Sequence, residues 1–206
     1  MDRAIVTPQG VDINNKWSPD PFNEIEQQMI IDTATGQLRN IIQFGFWSGL
    51  NINELIALKW ADVDFKENVA YICRVKLFGE EREPNLKSQI RTIVLLPRAL
   101  QALISQIQNI KNSEYIFKNP NTGKHWSSGD FVDNWIDLLS KLDIKYRHFN
   151  QMRHTFAATL LSNGEHPAWV STQLGHENVG VTLKQYERWI PKYNNCKYKF
   201  VGNYNC

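Results

Sequence analysis

The stretch Arg153-His154-Thr155-Phe156-Ala157, near the C-terminal end of the chain, decides the expected fold. Its apolar residues, continued by Leu160 and Leu161, recur at the spacing of one helix face. The same run ends at Asn163-Gly164, a pair typical of a helix stop. We therefore predict an amphipathic helix that carries Arg153 in its first turn.

Two further motifs follow this helix at short intervals. Leu174-Gly175-His176 comes first, and Tyr186 lies ten residues beyond His176. With Arg153 they supply a cation, a hydrogen-bonding group and a nucleophile, the set that binding and attacking a phosphodiester requires. Each also fits a structural role: a packed tyrosine, a helix-terminal salt bridge, a histidine at a helix end. Their order and spacing favour the chemical interpretation.

The composition indicates an ordered globular chain. Its 206 residues are 42% hydrophobic and 12% aromatic, with 11 Gly and 8 Pro, enough for one substantial core. No apolar run approaches the ~20 residues of a membrane span. Cys73, Cys196 and Cys206 lack metal-ligand spacing and are predicted to be reduced thiols of a cytosolic protein.

The charge is unevenly distributed along the chain. The net charge is only +2, but the residues from 141 onward contain nine Lys or Arg against four Asp or Glu, and the first 140 carry −3. A basic segment that also holds the candidate chemistry suits a polyanionic partner. A solvated charged surface explains the charge alone equally well.

The periodicity predicts a mainly helical α+β domain. Asn23 and Glu26 have the spacing of a capping box that opens a first helix. Further helices are predicted over 38–47 and 53–60, and an amphipathic helix is marked by Leu100, Leu103, Ile104, Ile107 and Ile110. The β-rich runs 69–75 and 91–95 predict one small antiparallel sheet inserted among the helices of the first half.

These motifs together resemble the catalytic domain of the tyrosine recombinases, the phage integrase family. The resemblance runs from about Pro21 to Pro191 and includes the run from Ser48-Gly49-Leu50 to Asp64, which is similar to the family's first motif. It implies an integrase-like catalytic domain that cuts and rejoins duplex DNA at a recombination site, through a 3′-phosphotyrosyl intermediate and without a metal or cofactor.

The resemblance also assigns roles to individual residues. Tyr186 matches the family's nucleophile, Arg153 its second arginine, and His176 its later His or Trp position. Lys87, in Lys87-Ser88-Gln89-Ile90-Arg91-Thr92, matches the hairpin lysine that protonates the leaving oxygen. Lys76 is a nearby competitor for this last role.

Two positions depart from the family pattern. Asn51 stands where the family has its first arginine, and this change is expected to leave Glu54, which supports that arginine in the family, without its partner. Asn150 stands three residues before Arg153, where the family usually has His. A bulge would be needed to bring His148 to that position.

Several other functions lack their motifs. The five histidines, including His125, have no zinc-ligand spacing, and no phosphate-binding glycine loop is present. Cys73, predicted to lie mid-strand in the core, is a poor candidate for a hydrolase nucleophile. Two alternatives remain: a type IB topoisomerase, which shares the chemistry, and a relative that binds DNA or a partner recombinase but cleaves poorly because of Asn51.

The resemblance finally implies an organisation and a setting. Residues 1–20 are predicted to be an arm or linker, 21–191 the catalytic domain and 192–206 a C-terminal tail, with the family's N-terminal core-binding domain absent. Self-association to a tetramer on DNA attachment sites is expected. The location is expected to be the cytoplasm and nucleoid of a bacterium, with a phage or mobile element as the source.

Overall fold

A computed structural model describes residues 18–77, 79–109, 113–119, 122–123 and 126–191. The predicted tail at 192–206, most of the predicted arm, Ile110 and His125 lie outside these residues. The described part is mainly helical with a small β component, which confirms the predicted fold class. The helices are α1 Glu24–Thr33, α2 Gly36–Ser48, α3 Ile52–Leu55, α4 Pro97–Ile107, α5 Ser128–Lys141, α6 Gln151–Ser162, α7 Pro167–Leu174 and α8 Val179–Tyr186.

The β component forms two sheets instead of the single sheet predicted. The strands are β1 Val63–Asp64, β2 Val69–Ile72, β3 Val75–Leu77, β4 Glu80–Arg82 and β5 Arg91–Val94. An antiparallel sheet has the order β1-β2-β5, and β3 and β4 form a separate hairpin. The predicted run 69–75 breaks at Cys73, which lies just after β2 and is partly exposed, so the prediction of a core position was wrong.

The predicted capping box at the start of α1 is confirmed. The Asn23 side chain accepts a hydrogen bond from the Glu26 backbone N–H, and the Glu26 carboxylate accepts one from that of Asn23. Ser127 and Asp130 make the same reciprocal pair at the start of α5. Such caps satisfy backbone donors that a helix N-terminus leaves unpaired.

The predicted helix over 53–60 was wrong in its extent, because α3 ends at Leu55. Beyond it, Leu58 O accepts a hydrogen bond from Ile116 N, and Trp60 N donates to Glu114 O. The chain here pairs with a distant extended segment instead of continuing the helix. Tertiary pairing therefore overrides the local apolar spacing, which carries no information about the segment 113–119.

The buried face of α4 also differs from the prediction. Leu103 is buried, but Ile104 and Ile107 are 54% and 51% exposed. The helix instead turns Gln106 inward, where its amide accepts from Asn40 Nδ2 at 2.8 Å and donates to Ile116 O at 2.8 Å. A fully hydrogen-bonded glutamine is stable in the core, and its bonds fix the rotation of the helix.

Helix α2 is the centre of the core. Ile41, Ile42, Phe44 and Phe46 are at most 1% exposed, and the helix packs against α4 and α6. It ends at Gly49, whose φ is 71°, and a Cβ there would lie 2.7 Å from the Phe156 ring. The turn after α2 thus approaches α6 as closely as only glycine permits.

A short N-terminal segment, residues 18–22, is held against α6. Gln151 donates to Ser18 O and accepts from Asp20 N, and Thr155 Oγ1 accepts from Phe22 N at 2.9 Å. Arg188 donates to Pro19 O from the turn that follows α8. The segment therefore contacts both elements that carry the motifs of the C-terminal third.

Within the described residues, no helix is long and apolar enough to cross a membrane.

Candidate active site

Helix α6 carries Arg153 into a largely buried position. Arg153 Nη1 donates to Gly49 O at 2.7 Å and lies 3.9 Å from Glu54 Oε2, with 17% of the side chain exposed. Burial lowers the pKa of Arg153, and the Glu54 carboxylate opposes that shift. Arg153 remains a cation at neutral pH, held by the turn after α2.

Tyr186, the last residue of α8, lies beside the same helix. Its side chain is fully buried, and its Oη is 2.7 Å from His154 Nδ1. Burial raises the pKa of Tyr186 to about 12, while the nearby Arg153 charge acts in the opposite direction. The nucleophile predicted from the sequence is therefore a neutral phenol, and its hydroxyl is hydrogen-bonded to the His154 imidazole. His154 stands beside Arg153 in the motif, but its spacing alone assigns it no role.

His176 completes the group on the other side of the tyrosine. Its Nδ1 is 2.7 Å from Thr182 Oγ1, and its ring lies nearly parallel to that of Tyr186, with the centroids 6.4 Å apart. Burial, reinforced by the charge of Arg153, lowers the pKa of His176 to about 3. The fold thus brings together Arg153, His176 and Tyr186, as their spacing predicted.

Glu54 keeps a partner, contrary to the expectation from Asn51. Glu54 Oε1 accepts from Arg91 Nη1 at 2.8 Å, and the two side chains are 1% and 4% exposed. Arg91 opens β5 on the inward face of the strand, and its Nε also donates to Gln173 O at 2.8 Å. The sequence does single out Arg91, since it falls in the motif of Lys87. It does not indicate that Arg91 pairs with Glu54, which lies 37 residues away in the chain.

Arg91 also packs against the turn that presents His176. Gly175 has a φ of 72°, and a Cβ there would lie 2.8 Å from Arg91 Nη1. The guanidinium is close enough to contribute to the lowered pKa values of Arg153 and His176. Arg91 is therefore a second arginine at the edge of the site that sequence reasoning did not assign.

Of the two positions that depart from the family pattern, Asn51 has a local structural role. Asn51 is the N-cap of α3: its Oδ1 accepts from Glu54 N at 3.0 Å, and Asn51 N donates to Glu54 Oε2 at 3.0 Å. Asn150 precedes α6, and its buried Oδ1 meets no hydrogen-bond donor among the described residues. His148 Nδ1 accepts from Asn150 N at 3.2 Å, so this ring is used in the turn before the helix.

Lys87 is exposed and lies in the 3₁₀ turn Lys87–Gln89, just before β5. The neighbouring Ser88 Oγ donates to Gly175 O at 3.4 Å, which holds this turn beside the His176 turn. Lys76 is on the β3–β4 hairpin but only 5% exposed, with its Nζ 4.5 Å from the centroid of the Tyr115 ring. The geometry favours Lys87 over Lys76, and the role of Lys87 stays a prediction.

The buried imidazoles make the fold sensitive to acid. The pKa values of His154 and His176 are about 4 and about 3, against about 6.5 in an unfolded chain. Below pH 6.5 the unfolded chain takes up protons that the folded chain does not, so stability is full above that pH and declines towards pH 4. We expect urea unfolding to show a loss of a few kcal/mol over this window. An equal loss in the double variant His154→Asn/His176→Asn would instead assign the acid sensitivity to carboxylates.

The family model described as "Phage integrase family" matches residues 19–190. This chain belongs to the phage integrase family. The resemblance found in the motifs is thereby confirmed over nearly the whole described region.

Individual relatives agree with this membership. Prophage integrase IntR of Escherichia coli K12 is 29% identical over 208 residues, which cover 87% of this chain and 50% of the relative. A XerC-like tyrosine recombinase of Caldanaerobacter subterraneus subsp. tengcongensis is 26% identical, covering 92% of this chain and 56% of its own. This integrase-family chain thus spans about half the length of the curated relatives it matches.

A solved structure shares the fold of this integrase-family chain. The integrase of transposon Tn1549, determined in complex with a circular intermediate DNA, superposes with a TM-score of 0.73 at 22% identity. The match covers 85% of this chain and 64% of the transposon integrase. At this identity the likeness concerns the fold, and the roles of individual site residues stay predictions.

Proposed function

We propose that this chain cuts and rejoins duplex DNA at a specific site, with Tyr186 as the nucleophile. The observation that carries the proposal is the 2.7 Å contact between Tyr186 Oη and His154 Nδ1, next to the Arg153 guanidinium. A nucleophile that is hydrogen-bonded to a base, beside a cation held in place, is the arrangement that phosphoryl transfer requires. Family membership supports the same reaction, since the relatives are named integrases and tyrosine recombinases.

In the proposed reaction, Tyr186 Oη attacks the scissile phosphorus and the 5′-oxygen leaves. Arg153 binds the non-bridging oxygens, since a planar guanidinium can hold two of them at once. His176 donates a further hydrogen bond to the phosphate, and Lys87 protonates the leaving oxygen. The phosphotyrosyl bond retains the energy of the broken phosphodiester, so rejoining needs no nucleotide cofactor.

The nucleophile must become accessible before it can react. Tyr186 is fully buried, so its hydroxyl does not reach a phosphate until the turn packed against it through Trp189 moves. The 3₁₀ turn Glu187–Trp189 follows directly and is exposed or half-buried. We infer that duplex binding displaces this turn and exposes the Tyr186 hydroxyl to the phosphate, with its contact to His154 kept.

The proposed partners follow from this reaction. Duplex attachment sites are the substrate, supported by the solved complex of the Tn1549 integrase with DNA. Assembly as a tetramer on DNA, a bacterial cytoplasmic location at the nucleoid, and the boundaries near residues 20 and 191 stay predictions.

A covalent-capture experiment tests the proposal. The chain is incubated with nicked duplexes whose sequence around the nick is randomised, and adducts are isolated on a denaturing gel. We expect an adduct in which mass spectrometry finds a nucleotide 3′-phosphate on Tyr186. An adduct yield no higher than that of Arg153→Ala would contradict the proposal. The captured sequence then supplies a defined duplex for all later measurements.

A second candidate is a DNA-binding relative that has lost cleavage, and the observation that favours it is the use of Asn51 as a helix cap. Asn51→Arg separates the two candidates. We expect it to lower the unfolding free energy by about 1 kcal/mol through loss of the cap. The cleavage rate should rise less than about tenfold, because Arg153 already supplies a cation to the phosphate in the proposed reaction.

The control is Asn23→Arg, which removes the same kind of cap from α1, away from the site. It should lower stability similarly and leave cleavage unchanged. A gain of about a hundredfold or more in Asn51→Arg alone would favour the cleavage-deficient relative.

A further inference from the structure

We propose that His154 is the proton acceptor for Tyr186: its Nδ1 takes the phenol proton as Tyr186 Oη bonds to phosphorus. This role rests on the proposed function. During cleavage the Oη–P bond forms and the bond from phosphorus to the 5′-oxygen breaks. The phenol proton passes to His154, and the leaving oxygen receives a proton from Lys87. In rejoining, the 5′-hydroxyl attacks phosphorus and gives its proton to Lys87. The bond from phosphorus to Tyr186 Oη breaks, and His154 returns its proton to the tyrosine oxygen.

The first support is the contact itself. His154 is 6% exposed and Tyr186 fully buried, so the 2.7 Å contact between Nδ1 and Oη is shielded from water. Among the described neighbours of the phenol, Arg153 is a cation and cannot accept a proton, and His176 Nδ1 is engaged with Thr182. His154 is therefore the group positioned to receive the proton.

The second support is the position of His154 on α6. His154 N donates to Asn150 O, so the two residues lie one helical turn apart on the same face. Asn150 occupies the position where the family resemblance led us to expect a histidine. In this chain the imidazole stands one turn further along the helix, where it meets the tyrosine hydroxyl directly.

The neighbouring charges explain when transfer takes place. Burial, followed by the charges of Arg153 and His148, lowers the pKa of His154 to about 4, so the proton stays on Tyr186 until a phosphate is bound. A phosphodiester bound to Arg153 offsets one of these charges and makes His154 a better base. Proton transfer is therefore coupled to bond formation at phosphorus and does not precede it.

The test separates the nucleophile from the leaving group. His154→Asn keeps an oxygen near the place of Nδ1 that can accept the tyrosine hydrogen bond, but it cannot take the proton. Its cleavage of the captured duplex should fall about 10²–10⁴-fold. A duplex with sulfur at the 5′-bridging position carries a leaving group that needs no protonation by an acid. It should therefore restore the cleavage rate of Lys87→Ala, whereas the cleavage rate of His154→Asn should stay low.

Added imidazole provides a second readout, in the variant His154→Ala. The cavity left by the ring should admit imidazole and recover cleavage with a pH dependence that follows the free base. His166→Asn is the matched control for His154→Asn, since His166 caps the N-terminus of α7 through Nδ1 and asparagine is an equally good cap. It should cleave at the parental rate.

The outcomes are distinct. The role of His154 is overturned if His154→Asn cleaves at the parental rate, if the sulfur duplex restores it, or if imidazole does not recover His154→Ala while thermal unfolding shows that this variant is folded. If the parental chain itself forms no adduct with either duplex, the proposed function fails, whatever the variants do.

Discussion

Replacement of Tyr186 by phenylalanine is expected to abolish the covalent adduct with DNA and to leave the fold intact. The change removes one oxygen atom, the nucleophile of the proposed reaction. Loss of a nucleophile that acts together with its base lowers turnover by a factor on the order of 10⁶. No adduct should then be visible on a denaturing gel under conditions that convert the parental chain.

The effect of Tyr186→Phe on stability is expected to be small by comparison. The phenylalanine ring fills the same buried space against Trp189 and His176. Only the hydrogen bond to His154 Nδ1 is lost, which leaves a buried acceptor unpaired and costs about 1–3 kcal/mol. Urea unfolding of the variant measures this loss separately from cleavage.

Tyr71→Phe is the matched control for the nucleophile. Tyr71 lies on β2 with 49% of its surface exposed, so its hydroxyl has no part in the proposed chemistry. The control should form the adduct at the parental rate. An adduct that persists in Tyr186→Phe would assign the nucleophile to another residue and overturn the proposed mechanism.

The second large effect concerns stability, through the buried pair of Arg91 and Glu54. Arg91→Met removes the guanidinium and leaves the buried Glu54 carboxylate with Arg153, at 3.9 Å, as its remaining ion-pair partner among the described residues. Removing one partner of a buried ion pair typically destabilises a protein by about 3–5 kcal/mol. Guanidinium chloride unfolding of Arg91→Met should show a loss of this size.

An exposed pair in the same chain supplies the control. Arg39 and Asp32 are 50% and 56% exposed with 3.5 Å between charged atoms, so Arg39→Met should change stability by less than about 1 kcal/mol. In the double variant Arg91→Met/Glu54→Gln, no buried charge remains at position 54. The side-chain oxygen of the new glutamine can still accept a hydrogen bond from Asn51 N. This variant should recover part of the loss. A full loss in the double variant would assign the effect to packing around Gly175 instead of charge.

The sequence predicted those features that depend on residues close together in the chain. The cap at Asn23, the helix that carries Arg153 and the antiparallel pairing of β2 with β5 follow local patterns of polarity and spacing. The grouping of Arg153, His176 and Tyr186 was predicted from the order and spacing of their motifs, with support from the family resemblance.

The features that the sequence did not predict depend on pairs of distant residues. His154 and Tyr186 are 32 positions apart, and Arg91 and Glu54 are 37 apart. Arg91 belongs to the Lys87 motif, and its alternation with Ile93 on a short strand indicates an inward side chain. A buried arginine requires a buried carboxylate, but the alternation does not say which acidic residue supplies it. Only the contact between Arg91 and Glu54 in the folded chain identifies that residue.

The segment at residues 18–22 has a mechanical consequence. It is fastened to Gln151 and Thr155 on α6 and, through Pro19, to Arg188, two residues beyond Tyr186. A force applied at its N-terminal end is therefore shared between the helix that bears the cation and the turn that follows the nucleophile. Tension along the chain would be carried by the three hydrogen bonds to α6 and the one to Arg188 before it reached the contact between Tyr186 and His154.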